Sequence, residues 1–185
     1  MMRLVRPATE HLESYRDALT RGWYPDNTRP ESSADELALI DADVTRFLES
    51  HDDLDAKGPP IHLPDGSTTA RLPGFRRWLW DGEFCGAIGF RWQPGGEALP
   101  PTCLGHLGYT VVSWKRARGY ASEALRLMLV EIQALPLRYV ELTTLPDNVP
   151  SQRVIEANGG VLLERFQLPE AFGSGEALRY RISLR

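Results

Sequence analysis

The order of predicted elements along the chain indicates an α+β fold. A short strand and two helices come first, three strands follow, and a helix, a strand, a helix and two strands complete the chain. Consecutive strands favour pairing with each other, and a strand–helix–strand unit places its two strands in one sheet. We therefore expect a single domain over residues 1–185, with a mixed, mostly antiparallel sheet of six to seven strands and helices on both faces.

The composition is that of a globular domain. The chain has 185 residues, of which 42% are hydrophobic and 25% charged, which is an ordinary balance. No apolar run approaches the roughly 20 residues that cross a bilayer, and the N-terminus turns polar too soon for a signal peptide. Cys85 and Cys103 lack metal-ligand spacing and are typical of a cytosolic protein. The sequence therefore predicts a cytoplasmic protein with no metal and no membrane contact.

Charge is distributed unevenly along the chain. Residues 26–55 contain ten acidic and two basic residues, whereas the rest of the chain carries a net charge of +4. The total of −4 argues against general nucleic-acid binding, for which a basic face is expected. The acidic stretch fits either the solvated faces of helices or a part of the protein that handles a cation.

Residues 1–70 are predicted to be a mainly helical region. Thr9 is suited to cap a first helix. Ser33, with Glu36 three residues later, forms the pattern of a capping box. The apolar residues that follow recur at helical spacing as far as Leu48, which predicts one continuous second helix.

Residues 71–185 are predicted to form the sheet and its covering helices. Asp81-Gly82 between two apolar arms is typical of a two-residue type I′ hairpin. Gly86 and Gly89 in the second arm suggest a bulge or a close backbone approach. The remaining predicted elements are a strand ending near residue 112, a helix over 120–135, a strand over 139–144, a helix over 148–158 and strands over 161–168 and 177–184.

The most informative segment is the passage from a strand into the 120–135 helix. Lys115, Arg116 and Arg118 follow the strand and are expected to attract a phosphate by their charge, and Gly119 opens the helix. The first amides of a helix have no internal partners, and the helix dipole adds about half a positive charge there. A phosphate fits such a site, so the segment predicts a diphosphate-bearing ligand. A solvated basic start of a helix is the alternative.

Two motifs here resemble those of the GNAT N-acetyltransferases. Arg116-x-x-Gly119-x-Ala121 resembles the Q/R-x-x-G-x-G/A motif that holds the pyrophosphate of acetyl-coenzyme A. Downstream, the segment from Asp147 to Gly160 is similar to the family's D-x-N-x-x-S-x-x-V-I-E-x-x-G segment. The resemblance covers nearly the whole chain, and it implies the family's fold, in which the two central strands splay apart.

The resemblance also implies the cofactor contacts. The backbone of Tyr109, Thr110 and Val111 should pair with the pantetheine arm as an added strand would, and Asn148 and Ser151 should face the thioester from the other side. The residues implied to hold the pyrophosphate are Arg116, Ala117, Arg118, Gly119, Tyr120, Ala121 and Ser122.

The catalytic groups are less well determined. Many family members have a tyrosine on the last helix that protonates the leaving thiolate, and the matching position here is Ile155. Ser151 is the candidate replacement, although capping its own helix is an equal alternative. His106 is the candidate base because its pKa suits the task, but it lies one residue from the position that family bases occupy. A carboxylate or a water chain would serve equally well.

The sequence thus predicts an acetyl-CoA-dependent N-acetyltransferase that acts on a small cationic amine or a protein amine. The acceptor is expected beside the first two helices, the predicted loop over 52–71 and the loop over 169–176. The chain is expected to be a monomer or a homodimer. The alternative is a non-catalytic acyl-CoA-binding module, which the missing tyrosine would permit.

Overall fold

A computed structural model describes residues 1–27 and 29–184. Within these residues the helices, given with their bounds, are α1 Thr9–Thr20, α2 Ser32–Ala42, α3 Val44–Glu49, α4 Tyr120–Ile132 and α5 Val149–Ala157. The strands are β1 Arg3–Val5, β2 Asp52–Asp53, β3 Ile61–His62, β4 Thr68–Thr69, β5 Gly74–Trp80, β6 Phe84–Arg91, β7 Leu107–Val111, β8 Tyr139–Thr144, β9 Val161–Gln167 and β10 Glu176–Ser183. No described helix is long and apolar enough to cross a membrane.

The main strands form two antiparallel sheets, which confirms the predicted α+β class. The N-terminal sheet has the order β1-β5-β6-β7, with β2 paired to β5, and the C-terminal sheet has the order β8-β10-β9. The strands β3 and β4 form a separate small hairpin inside the segment that was predicted to be a loop. The single predicted sheet is therefore divided between β7 and β8.

The two sheets touch at one end and separate at the other. The His106 N–H donates to the Glu141 carbonyl at 2.8 Å, and the Glu141 N–H donates to Nδ1 of the His106 ring at 3.0 Å. Thr143 Oγ1 also donates to the Leu104 carbonyl at 2.5 Å. Beyond these contacts, all the ladder partners of β7 among residues 1–27 and 29–184 lie in β6. The space between β7 and β8, called the splay below, is thus closed at the His106 end.

The faces of the N-terminal sheet pack against different helices. Leu107 and Val111 of β7 belong to the core that includes Leu125 of α4 and Ile155 of α5. Val112 belongs to the second core, with Leu12, Tyr15 and other residues of α1 to α3. Since side chains alternate along a strand, Gly108 and Thr110 share this second face. We call the first face the α4 face and the second the α1 face.

The second predicted helix is two helices. Asp43 has an extended backbone, with φ −163° and ψ 97°, and its side chain accepts from the Arg46 N–H to cap α3. An aspartate side chain is a good acceptor for the free amides at the start of a helix, so a new helix begins here. The spacing of the apolar residues continues across this break and therefore did not predict it. The predicted capping box is also wrong: the N-terminal turn of α2 has no side-chain cap, and Glu36 instead accepts from Tyr15 and Arg76.

The β5–β6 hairpin has a three-residue loop, not the predicted two-residue turn. Trp80 pairs with Phe84, and the register shifts between Leu79 and Trp80. The shift is the bulge that Gly86 suggested. A Cβ at Gly86 would lie 2.1 Å from the Thr110 carbonyl oxygen, so the close backbone approach is confirmed there. At Gly89 the prediction is wrong, because a Cβ would meet only the Phe75 carbonyl oxygen, at 3.9 Å. The longer loop leaves Asp81 directed toward the start of α4, as described below.

Candidate active site

The loop over residues 116–119 connects the β7 strand to α4 through a turn of 3₁₀ helix at Ser113–Lys115. Ala117 and Gly119 both have left-handed backbone, with φ +58° and φ +76°. The Glu123 N–H donates to the Gly119 carbonyl at 3.0 Å, which is the first hydrogen bond of the helix. The preceding amides, those of Tyr120, Ala121 and Ser122, consequently have no acceptor within α4. Together with the helix dipole they form a site suited to an anion.

Two of the three basic side chains remain at this loop. Arg116 and Arg118 are exposed, and Arg116 Nε donates to the Val111 carbonyl at 3.2 Å. Lys115 is buried, with an exposed side-chain fraction of 8%, and its Nζ lies 2.6 Å from Oδ1 of Asp81. The expectation that Lys115 adds to the phosphate site is therefore wrong, because its charge is already paired inside the protein.

The backbone of β7 presents alternate residues to the splay. Val112 N–H bonds to the Cys85 carbonyl, and Arg91 N–H bonds to the His106 carbonyl, so the even-numbered residues of β7 face β6. In an antiparallel ladder the residues between them point the other way. Tyr109 and Val111 therefore direct their amides and carbonyls toward the splay, whereas Thr110 accepts a hydrogen bond from Trp23 on the α1 face through its hydroxyl.

Ser151 lies across the splay from β7, at the start of α5. Asn148 caps this helix by accepting from the Ser151 N–H at 3.3 Å, so the serine hydroxyl is not needed as the cap. Ser151 Oγ lies 2.9 Å from the Tyr109 hydroxyl, and the same hydroxyl donates to the Ser151 carbonyl at 3.3 Å. Burial raises the pKa of Tyr109, which keeps its phenol protonated. The structure thus brings Asn148, Ser151 and Tyr109 together.

His106 is not part of this group. Its side chain is fully buried at 0% exposure, and burial, followed by the charge of Arg91, lowers its pKa. Because Nδ1 accepts from the Glu141 N–H, the proton of the neutral ring lies on Nε2. In this arrangement neither ring nitrogen has a free lone pair.

A cavity of about 470 Å³ lies on the face of the C-terminal sheet that points away from the core, since Glu141 and Arg179 line it and their strand neighbours Val140, Leu142 and Leu178 are core residues. It reaches Leu104 and Glu141, which flank the point where the two sheets touch. Arg181 Nη2 bonds Glu141 Oε1 at 2.6 Å, so the carboxylate is paired. The other lining residues include Cys103, Tyr139, Phe166, Pro169 and Arg179. Among the described residues, no group of three or more His, Cys, Asp and Glu side chains is arranged to hold a metal ion.

Two contacts of this region could not have been found from sequence spacing. Tyr109 was expected to take part in the site through its backbone alone, and Asp81 was expected only to form a hairpin turn. Each contact joins residues far apart in the chain, 42 positions for Tyr109 and Ser151 and 34 for Asp81 and Lys115. Only tertiary packing brings such pairs together.

Comparison with known proteins identifies the family. The sequence model of the acetyltransferase (GNAT) domain matches residues 3–161, whereas no curated protein sequence matches the chain.

Solved structures share the fold at low sequence identity. The ribosomal L7/L12 alpha-N-protein acetyltransferase RimL, in complex with coenzyme A, has a TM-score of 0.63 at 12% identity, covering 98% of this chain and 93% of its own. The microcin C7 self-immunity acetyltransferase MccE, in complex with acetyl-CoA and AMP, has a TM-score of 0.61 at 13% identity, covering 98% and 92%. An acetyl transferase from Salmonella typhimurium that modifies the N-terminal serine of L7/L12 has a TM-score of 0.61 at 12% identity, covering 98% and 94%. The chain belongs to the GNAT acetyltransferase family.

Proposed function

We propose that this acetyltransferase moves an acetyl group directly from acetyl-CoA to an amine, with Ser151 as the proton donor. The observation that carries the proposal is the splay: free helix amides lie at one end of β7, and the Ser151 hydroxyl faces the strand from α5. In the proposal the diphosphate binds the amides of residues 117–122 and the side chain of Arg116, whose own N–H already donates to the Ser113 carbonyl. The pantetheine arm pairs with Tyr109 and Val111. Asn148 holds the start of α5, and so the position of Ser151.

The proposed reaction follows from what a thioester requires. The amine nitrogen attacks the acetyl carbon, and the backbone N–H of Tyr109 or Val111 stabilises the oxyanion. The C–S bond then breaks, the Ser151 hydroxyl delivers a proton to the thiolate of coenzyme A, and water returns to Ser151 Oγ the proton that the amine has given up. A thiol pKa of about 8.5 means that this leaving group needs only modest help. The Tyr109 hydroxyl, 2.9 Å from Ser151 Oγ, keeps the serine oriented.

The base is the remaining question for the proposed mechanism. The prediction that His106 removes the proton of the amine stays a prediction, and the contacts of its ring favour another role. His106 joins the two sheets through its N–H and its Nδ1, so we propose that it fixes the closed end of the splay. We further propose that the amine passes its proton to water, which needs no side chain with a free lone pair.

The proposed acceptor is a small cationic amine or an amine of a protein, entering from the α1 face through the cavity beside Glu141. Several carboxylates of residues 26–55 have basic partners within 4 Å, namely Glu31, Asp35, Glu36, Asp41, Asp52, Asp53 and Asp55. These pairs shorten the range of the negative field, so we expect the cavity to contribute more to selection than the acidic excess. Because RimL and the Salmonella protein are described as acting on protein N-termini, a peptide α-amine belongs in the test. The free thiols of Cys85 and Cys103 fit the proposed cytoplasmic location.

The experiment mixes the protein with acetyl-CoA and a panel of polyamines, aminoglycosides and peptides. Turnover is measured as release of the coenzyme A thiol. We expect turnover with at least one amine class. Ser151→Ala should lower kcat about 100-fold with little change in the KM for acetyl-CoA, because the backbone cap from Asn148 remains. Ser183→Ala, at the exposed end of β10, is the matched control and should behave like the parent chain. An unchanged kcat for Ser151→Ala would remove the serine from the mechanism.

A further inference from the structure

The carboxylate of Asp81 contacts both sides of the 116–119 loop. Its Oδ1 lies 2.6 Å from Lys115 Nζ, just before the loop, and its Oδ2 accepts from the Tyr120 hydroxyl at 2.6 Å, just after it. Both charged partners are shielded from water, since the exposed side-chain fractions are 8% for Lys115 and 15% for Asp81. One side chain from the β5–β6 hairpin therefore connects the two ends of the loop.

The loop is a segment whose shape needs such support. Ala117 has a left-handed backbone, φ +58°, which costs a residue with a Cβ of the order of 1 kcal/mol or more. Such a conformation persists only when the surrounding structure holds it. Fixed positions for Lys115 and Tyr120 limit the backbone conformations that the residues between them can adopt. The amides of those intervening residues are therefore directed to one point.

The neighbouring groups do not suggest a separate reactive centre. Cys85 Sγ lies 3.7 Å from Lys115 Nζ, but burial and the hydrogen bond to Asp81 raise the pKa of this thiol to about 12. Burial would by itself raise the pKa of Asp81, yet the hydrogen bonds from Lys115 and Tyr120 bring it well below its ordinary value. The cluster is accordingly a stable ion pair with a neutral thiol beside it.

We propose that Asp81 is a positioning residue for acetyl-CoA, holding the 116–119 loop in the shape that binds the diphosphate. The inference rests on the proposed binding of the diphosphate to this loop. The proposal predicts that removal of Asp81 weakens cofactor binding, whereas an effect of charge alone would strengthen it. If Asp81 only neutralised Lys115, its removal would release a cation near the phosphates and strengthen binding, whereas loss of the loop's shape weakens it.

The experiment compares two acetyl donors. Acetyl-CoA uses the loop, whereas acetyl-pantetheine carries the same thioester without a diphosphate. We expect Asp81→Asn to raise the KM for acetyl-CoA and the Kd for coenzyme A about tenfold, with kcat nearly unchanged. The kcat/KM for acetyl-pantetheine should stay at the parent value. Glu83→Gln is the matched control, because Glu83 also contacts Lys115, at 3.1 Å, but is 71% exposed.

Tyr120→Phe removes one bond to Asp81 without leaving a buried charge unpaired, so it tests the same idea in a protein that keeps the ion pair. We expect a rise of about threefold in the KM for acetyl-CoA. The proposal is overturned if either variant binds coenzyme A as tightly as the parent or more tightly, or if both donors lose kcat/KM equally. Absence of turnover by the parent chain with both donors would instead contradict the proposed function.

Discussion

The polar groups at the two faces of the N-terminal sheet differ in whether they have hydrogen-bond partners within the protein. At the start of α4 the amides of Tyr120, Ala121 and Ser122 have no partner within the helix, and the nearby loop is exposed. Under α1 and α2 the polar side chains bind one another: Glu36 accepts from Tyr15 and Arg76. The first face is arranged to receive a ligand through its backbone, whereas the part of the second face that lies under α1 and α2 is closed by side chains.

This difference explains why the backbone site at the start of α4 could be predicted from the sequence and the side-chain contacts on the other face could not. A backbone site needs particular residues at fixed spacing, since a left-handed turn and free amides require a glycine and a helix start. A side-chain site can be built from many sequences, and its partners come from distant positions. The proposed acceptor side is of the second kind, and its Arg76–Glu36 contact joins residues 40 positions apart.

The largest effect is expected at Gly119. Gly119→Val places a β-branched residue at φ +76°, which distorts the loop at the point where the amides converge. We expect the KM for acetyl-CoA to rise at least about 100-fold, measured by thiol release at saturating amine, with Kd for coenzyme A measured by calorimetry.

Gly22→Val is the matched control for this comparison. Gly22 follows α1, has φ +88° and, like Gly119, would place its Cβ within 4 Å of no other atom. Both substitutions should cost about 1–2 kcal/mol of stability from the left-handed backbone. If Gly22→Val weakened coenzyme A binding as much as Gly119→Val, the loss would reflect general destabilisation and the contrast between the faces would fail.

The burial of the α1 face beneath α1 to α3 can be measured through His51, whose ring contacts Phe47 and Trp78. Burial, followed by the charge of Arg76, lowers its pKa to about 3, and its Nδ1 bonds the Phe47 carbonyl. At pH values between the unfolded pKa of about 6.5 and the folded pKa of about 3, His51 binds a proton in the unfolded chain but not in the folded chain. The free energy of unfolding therefore falls as the pH is lowered through this range. From pH 7 to pH 5 this single group should remove about 2 kcal/mol from the free energy of unfolding.

Denaturant unfolding at the two pH values checks this expectation. His51→Gln should be less sensitive to acid than the parent by that amount, whereas His62→Gln, at an exposed position, should show the parent's sensitivity. Equal pH dependence for His51→Gln and the parent would mean that the folded chain accommodates a charged His51.

Much of the fold follows from local patterns, and its failures have physical causes. The strand over residues 139–144 and the start of α4 at Tyr120 lie where the sequence predicts them, because each combines strong periodicity with a clear boundary. The break at Asp43 was missed because the apolar spacing continues across it. The direction of Lys115 was missed because local sequence records its charge but not the carboxylate of Asp81 that binds it.

The smallest of these effects is expected at Gly108, which pairs with Gly89 in the β6–β7 ladder. Gly108 lies next to Tyr109 in β7 but on the α1 face, it is exposed, and a Cβ there would meet only Arg91 Nη2, at 3.5 Å. Gly108→Val should therefore fold normally and narrow the proposed path of the amine. We expect the KM for the amine to rise about tenfold while the KM for acetyl-CoA stays within about twofold. A change of the same size in both constants would show that the acceptor and the cofactor do not approach β7 from separate faces.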